Sequence, residues 1–176
     1  MVVFDTSVLL LTLDPDAGCP LDPNTNAPLE KARERIEYLI ATLSAAKETI
    51  IIPTPVLSEL MVYAGEAGPK WLQFFNETAA FRVASFDQKA AIEAAISIRD
   101  SLNRGGLKID ALDPGVSRGK VKFDRQIVAI AKAEGAGAIY SDDDDIVKYA
   151  RDAGLNAYRT ADLDLPPEDP QQSLEL

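Results

Sequence analysis

The sequence predicts an α/β protein, a three-layer α/β/α sandwich around a central parallel sheet. Short β-branched or apolar runs alternate along the chain with longer stretches whose apolar residues recur at helical spacing. Such alternation favours parallel strands joined by right-handed crossovers. At 176 residues the chain is long enough for one domain burying about 70% of its unfolded surface.

Met1 to Phe4 reads as a short buried strand, and Asp5-Thr6-Ser7 as the turn and N-cap of an apolar segment from Val8 to Leu13. Asp14 to Pro28 holds four prolines, Gly18, Asn24 and Asn26, and is expected to be a surface insertion without regular structure. From Leu29 to Lys47, Ala32, Ile36, Leu39, Ile40 and Leu43 mark an amphipathic helix. Thr49 to Ile52 is a strand, and Pro55 suits the first turn of a helix through Val56 to Ala64. Gly65 and Gly68-Pro69 are expected to end that helix, before a short one at Trp71 to Phe75 whose rings read as core or subunit contact.

Phe81 to Phe86 alternates as a strand, and Asp87 opens a long helix to about Asn103. Gly105 to Lys120 reads as a loop around the turn Asp113-Pro114-Gly115. Lys122 to Glu134 returns to helix with Asp124 in its first turn, where the helix dipole favours an anion. Gly137 to Tyr140 is a strand, Asp145 to Ala153 a helix ended by Gly154, and Leu155 to Tyr158 a last strand. Residues 1–160 therefore form the domain, with its insertion at 14–28, and residues 161–176 an acidic, proline-rich, mobile tail.

Composition removes several kinds of chemistry. The absence of histidine excludes Ser-His-Asp and Cys-His nucleophile activation and most zinc sites. Cys19 is the only cysteine, so no intramolecular disulfide forms, and a reducing cytoplasm is the natural setting. No run approaches the roughly 20 apolar residues of a membrane span, and no targeting segment precedes the first strand. A soluble cytoplasmic protein is the expectation. The net charge of −10 argues against a general polyanion-binding surface. Locally the balance reverses: Arg104 to Arg125 carries six cations against three acids, a strip that could steer a phosphate backbone.

The most informative residues are acids at the ends of apolar runs: Asp5, Glu59, Asp124 and the Asp142 to Asp145 run. In open α/β sheets a ligand crevice forms at the carboxyl ends of the strands, so acids delivered there converge. Converging acids repel unless a hard divalent cation, Mg²⁺ or Mn²⁺, holds them together. Singly, each acid could be a cap or a solvated charge. Jointly they suit two-metal phosphoryl chemistry, in which three or four carboxylates hold cations about 4 Å apart.

These segments resemble those of PIN-domain ribonucleases, most closely the VapC-type toxins of toxin–antitoxin modules. Val2-Val-Phe-Asp-Thr-Ser-Val8 is similar to the family's opening strand and first aspartate, and Ile52-Pro-Thr-Pro-Val-Leu-Ser-Glu-Leu60 to the segment bearing its glutamate. Phe123 to Ala131 resembles the helix with the third acid, and Ile139 to Ile146 the segment whose Thr/Ser-x-Asp motif carries the fourth. The likeness runs in order from residue 1 to about 158. It implies cleavage of RNA with Mg²⁺ or Mn²⁺ held by Asp5, Glu59, Asp124 and Asp143. Asp142 joins as a further ligand, and Thr6, Ser7, Ser141 and Asp145 support the site. The basic strip would supply Arg118, Lys120, Lys122 and Arg125 as RNA contacts. The run of aspartates leaves the fourth ligand open among its members. A homodimer is also implied, as is a small antitoxin inserting a basic residue among the acids.

Two other readings stand beside this one. A haloacid-dehalogenase-like phosphatase also opens with a strand and an aspartate, but wants a second aspartate two residues later, where this chain has Ser7. A catalytically inert PIN-like interaction scaffold would be expected to lose at least one of the acids, and all are present.

Overall fold

The computed structural model describes residues 1–103 and 118–167, with side chains of the second stretch given from residue 123 onward. Among these residues, five strands form one parallel sheet: β1 (Val2–Phe4), β2 (Ile50–Pro53), β3 (Phe81–Ala84), β4 (Ala138–Tyr140) and β5 (Asn156–Tyr158). Their order is β3-β2-β1-β4-β5, so the chain winds outward from β1 in one direction and then returns to its other side. Val3 pairs with Ile51 on one side and Ile139 on the other, and all three are completely buried. Parallel strands are covered on both faces by their crossover helices, which is why these runs carry no polar alternation.

Among the described residues, seven helices supply the outer layers of this α/β/α sandwich: α1 (Thr6–Leu13), α2 (Ala32–Ala45), α3 (Thr54–Ala64), α4 (Gly68–Glu77), α5 (Gln88–Asn103), α6 (Arg118–Glu134) and α7 (Asp144–Asp152). α1 packs on α2 and α3, while α6 packs against α5, α7 and α3. Ile36, Leu60, Ile130 and Val8 reach the core with no exposed surface. Phe75 and Phe81 meet edge to face at 5.4 Å, and Phe74 joins them, tilted, from the same helix. The insertion at 14–28 is closed on itself by a bridge between Leu21 and Pro28, with Asp22 accepting from the backbone of Asn24 and Thr25 at its tip.

Several boundaries differ from expectation. Gly68-Pro69 opens α4 instead of closing the helix before it, because proline at a first turn forfeits no hydrogen bond. α6 begins at Arg118, inside the stretch expected to be a loop, so Asp124 lies nearly two turns in, beyond the reach of the helix dipole's end. The expected tail begins inside packed structure: Leu163 is buried, and its carbonyl accepts from the Arg35 guanidinium. The turn Asp113-Pro114-Gly115 and residues 168–176 lie outside the described residues. No helix among the described residues is long and apolar enough to cross a membrane.

Candidate metal centre

The chain's winding makes β1 and β4 neighbours that lead in different directions, and a crevice opens beyond their carboxyl ends. Asp5 follows β1 directly, its backbone N–H donating to the Tyr140 carbonyl at 3.0 Å. It stands at the N-cap position of α1, yet its side chain makes no cap bond. The carboxylate serves the crevice instead. Its Oδ2 accepts from the Ser141 hydroxyl at 2.8 Å and the Ser7 hydroxyl at 3.1 Å. Each serine in turn accepts a backbone N–H of the turn after β4, Asp143 on Ser141 and Asp142 on Ser7.

Asp5 is 4% exposed, and burial pushes its carboxyl up to about 6. The Ser141 hydroxyl, the Thr6 backbone and the Ser7 hydroxyl oppose that rise, and the nearby Glu59 charge adds to it. Burial wins because hydrogen bonds from neutral hydroxyls replace only part of the lost hydration. Glu59 comes from the middle of α3, which two prolines start at the end of β2. It is exposed, and it accepts from the Thr6 hydroxyl at 2.6 Å. Thr6 and Ser7 thus tie the first turn of α1 to two different acids.

The remaining acids converge from α6 and the start of α7. Asp124, Asp143 and Asp145 each offer a carboxylate oxygen, and these lie within 4.8 Å of one another. Asp143 is the N-cap of α7, its Oδ1 accepting from the Asp145 N–H at 2.8 Å and the Ile146 N–H at 3.4 Å. The aspartate run is thereby divided residue by residue. Asp142, expected among the ligands, has both oxygens on buried Thr160, at 2.8 Å to its N–H and 2.6 Å to its hydroxyl. Asp144 is exposed and pairs with Arg159. Asp145, expected only as a supporting acid, is the one that joins the cluster.

Asp5, Thr6, Ser7, Glu59, Asp124 and Asp143 line a single crevice of about 650 Å³. Arg125, expected as an RNA contact, has its guanidinium over the Tyr149 ring, 4.6 Å from the centroid. Sequence reasoning missed Tyr149. Its phenol is pushed up first by burial, with Arg125 opposing and the Asp145 and Asp124 charges adding. The spacing of four residues from Asp145 on a helix was the available signal. Arg118, Lys120 and Lys122 fall on the opening turns of α6, and their side chains lie outside the described residues.

The donor set fits a hard divalent cation. Three carboxylate oxygens within 4.8 Å, without nitrogen or sulfur donors, suit Mg²⁺ or Mn²⁺. Such a cation also offsets the repulsion among acids that share one crevice.

The same architecture occurs in solved structures. A chain in the crystal structure of VapBC2 from Rickettsia felis bound to a DNA fragment from their promoter aligns with a TM-score of 0.56 and 16% identity, over 90% of this chain and 98% of that one. A chain in the crystal structure of DNA-bound VapBC from Salmonella typhimurium aligns with a TM-score of 0.54 and 13% identity, over 90% and 97%. A scan against family models and a search of curated proteins return no match. The fold is therefore PIN-like, and its likeness to chains of VapBC complexes agrees with the resemblance drawn from the ordered motifs.

Proposed function

We propose that this protein is a Mg²⁺- or Mn²⁺-dependent endoribonuclease, the toxin of a type II toxin–antitoxin pair. The observation that carries the reading is the arrival of Asp5, Glu59, Asp124 and Asp143, from four separate segments, at one crevice. The ligands we assign are these four with Asp145. Asp142 is left out because both of its oxygens are engaged by Thr160.

When bound, the cation supplies Lewis acidity, acidifying the attacking water and neutralising charge on the phosphate. The chain's own residues prepare that chemistry. Ser7 and Ser141 hold Asp5 in one orientation, Thr6 holds Glu59, and the α7 amides hold Asp143. Before any cation binds, the Asp5 carboxyl keeps a proton below pH about 6 and releases it above. The basic side chains Arg118, Lys120, Lys122 and Arg125 are assigned to the RNA backbone. Further parts of the proposal are a cytoplasmic homodimer and a small antitoxin that places a basic side chain among the acids. An acidic toxin and a cationic inhibitor are electrostatically complementary.

The test is cleavage of labelled single-stranded RNA by wild type and Asp5→Asn, each with EDTA, Mg²⁺ or Mn²⁺. Products that need metal and appear only with wild type are the expected result. Full activity in Asp5→Asn would sink the site. Size-exclusion of the protein co-expressed with its chromosomal neighbour should give a heavier complex, and a lone dimer peak would count against the antitoxin.

A further inference from the structure

We propose that Tyr63 and Phe123 are stacking platforms for the nucleobases on either side of the cleaved bond; the inference rests on the ribonuclease reading above. Both rings line the acidic crevice, yet they are 63% and 53% exposed. Tyr63 lies one helical turn beyond Glu59 on α3, beside Val62, which is 81% exposed. Phe123 immediately precedes Asp124 on α6. Each ring therefore stands next to an assigned ligand, on opposite helices of the same opening. Among the described residues neither is stacked on another ring, unlike Phe74, whose exposed ring leans on the buried Phe75 and Phe81.

Large apolar side chains left open around a polar site mark a binding groove and not a packing element. Charge argues for what fills it. With a net charge of −10, attraction at long range does not draw a polyanion to this protein. Beyond the few basic side chains assigned to the backbone, affinity then rests on contacts that ignore the phosphate, and base stacking on aromatic rings supplies it without demanding a particular sequence. A phosphate held through a cation at the carboxylates would lie in the crevice that both rings line, with its flanking bases facing them. The substrate is then a single strand or an unpaired loop, because bases inside a duplex present no free face.

The experiment is steady-state cleavage with Mn²⁺ of a short single-stranded oligoribonucleotide whose cleaved bond has been mapped. It is repeated with the same oligonucleotide carrying abasic riboses on both sides of that bond. Wild type, Tyr63→Leu, Phe123→Leu and Tyr63→Trp are compared, with thermal melting and Mn²⁺ calorimetry as controls for fold and metal site. We expect each leucine variant to raise KM on the intact strand by about tenfold, with kcat moving far less, and the tryptophan to restore it. On the abasic strand the wild-type advantage should vanish. Equal KM for wild type and both leucine variants on intact RNA overturns the proposal and gives the rings to an apolar segment of a protein partner. If wild type binds Mn²⁺ but cuts no single-stranded RNA, so that there is no bond to map, the ribonuclease reading falls and this inference with it.

Discussion

Asp5 and the Asp142 to Asp145 run follow adjacent parallel strands at their carboxyl ends, and the protein treats their charges differently. Asp5 is a single acid, buried, and served by neutral hydroxyls, so its anion is costly and its carboxyl rises to about 6. In the run, Asp142 turns to a buried threonine, exposed Asp144 pairs with the half-buried Arg159, and Asp143, held by the amides of α7, meets Asp145 and Asp124 in the cluster. One turn holds a desolvated acid whose charge a cation would stabilise, while its neighbour sends two of its four acids to other partners and two to the cluster. A site that must accept a cation benefits from the first arrangement, since binding energy then comes partly from relief.

The largest effect should come from removing the stored charge. Asp5→Asn is expected to lower cleavage on the order of 10²–10³-fold, the usual cost of deleting one preorganised electrostatic group. It should also raise stability in metal-free buffer. The Asp5 carboxyl binds its proton more tightly folded than unfolded, so the folded state holds more protons between pH 3.8 and about 6. Its contribution is fully present below 3.8 and is lost as pH rises through about 6. The loss amounts to ~3 kcal/mol by pH 7.5, from a shift of roughly two units at about 1.4 kcal/mol each. Thermal melts in EDTA should find Asp5→Asn more stable than wild type at pH 7.5 and nearly equal at pH 4. A variant that melts lower at pH 7.5 would remove the idea that burial makes the Asp5 anion costly.

Ser141→Ala tests the link between the two turns. The hydroxyl donates to Asp5 and accepts from the Asp143 N–H, at a fully buried position. Its loss is expected to weaken Mn²⁺ binding by about 10- to 100-fold, as for other residues that orient metal ligands. The Asp5 carboxyl should also rise beyond 6, moving the pH at which Mn²⁺ binding is half-maximal upward. Calorimetry from pH 5.5 to 8 reads both. Unchanged affinity and an unchanged midpoint would mean that the two turns act independently.

Much of this arrangement was open to reading in the sequence, and the boundary of what was legible has a physical cause. Strands such as Ile50–Pro53 announce themselves because a parallel sheet buries both faces, and the acids that follow stand at fixed places in the alternation. Thr160 could not be anticipated as the partner of Asp142, since it lies 18 residues on, past α7 and β5. A carboxylate's burial and its neighbours are products of packing, so the roles within Asp142 to Asp145 waited for the fold. Asp124 was misplaced within its helix for a local reason: the turn signature at Asp113-Pro114-Gly115 carried the expected loop on to Lys120, whereas α6 already runs from Arg118.

Asp142 and Asp145 give the next smaller contrast, because they exchange the roles that the family resemblance implied. Asp142→Ala leaves the Thr160 N–H and hydroxyl without their acceptor in a fully buried place, a cost of about 1–3 kcal/mol. Mn²⁺ affinity should change little beside that drop in stability. Asp145→Asn should do the reverse, weakening Mn²⁺ binding roughly tenfold with little change in melting. Melting and calorimetry on the same two variants decide the matter. If Asp142→Ala lost metal affinity and kept its stability, the division of the run would be wrong.

The smallest effect belongs to Asp144, and its smallness is what makes it useful. Its side chain is 89% exposed and meets Arg159, which also donates to the Asp142 carbonyl at 3.1 Å. Arg159 therefore still ties down the turn when its ion pair is gone, and exposed pairs contribute only ~0.5 kcal/mol. Asp144→Ala is expected to melt and bind Mn²⁺ close to wild type, although it removes the same charge as the variants on either side. Measured in one buffer, the three substitutions separate net charge from position. A loss of Mn²⁺ affinity in Asp144→Ala matching that of Asp145→Asn would show that the run acts as a diffuse acidic field. Near-wild-type behaviour would mean that each carboxylate acts through the partner its place in the fold provides.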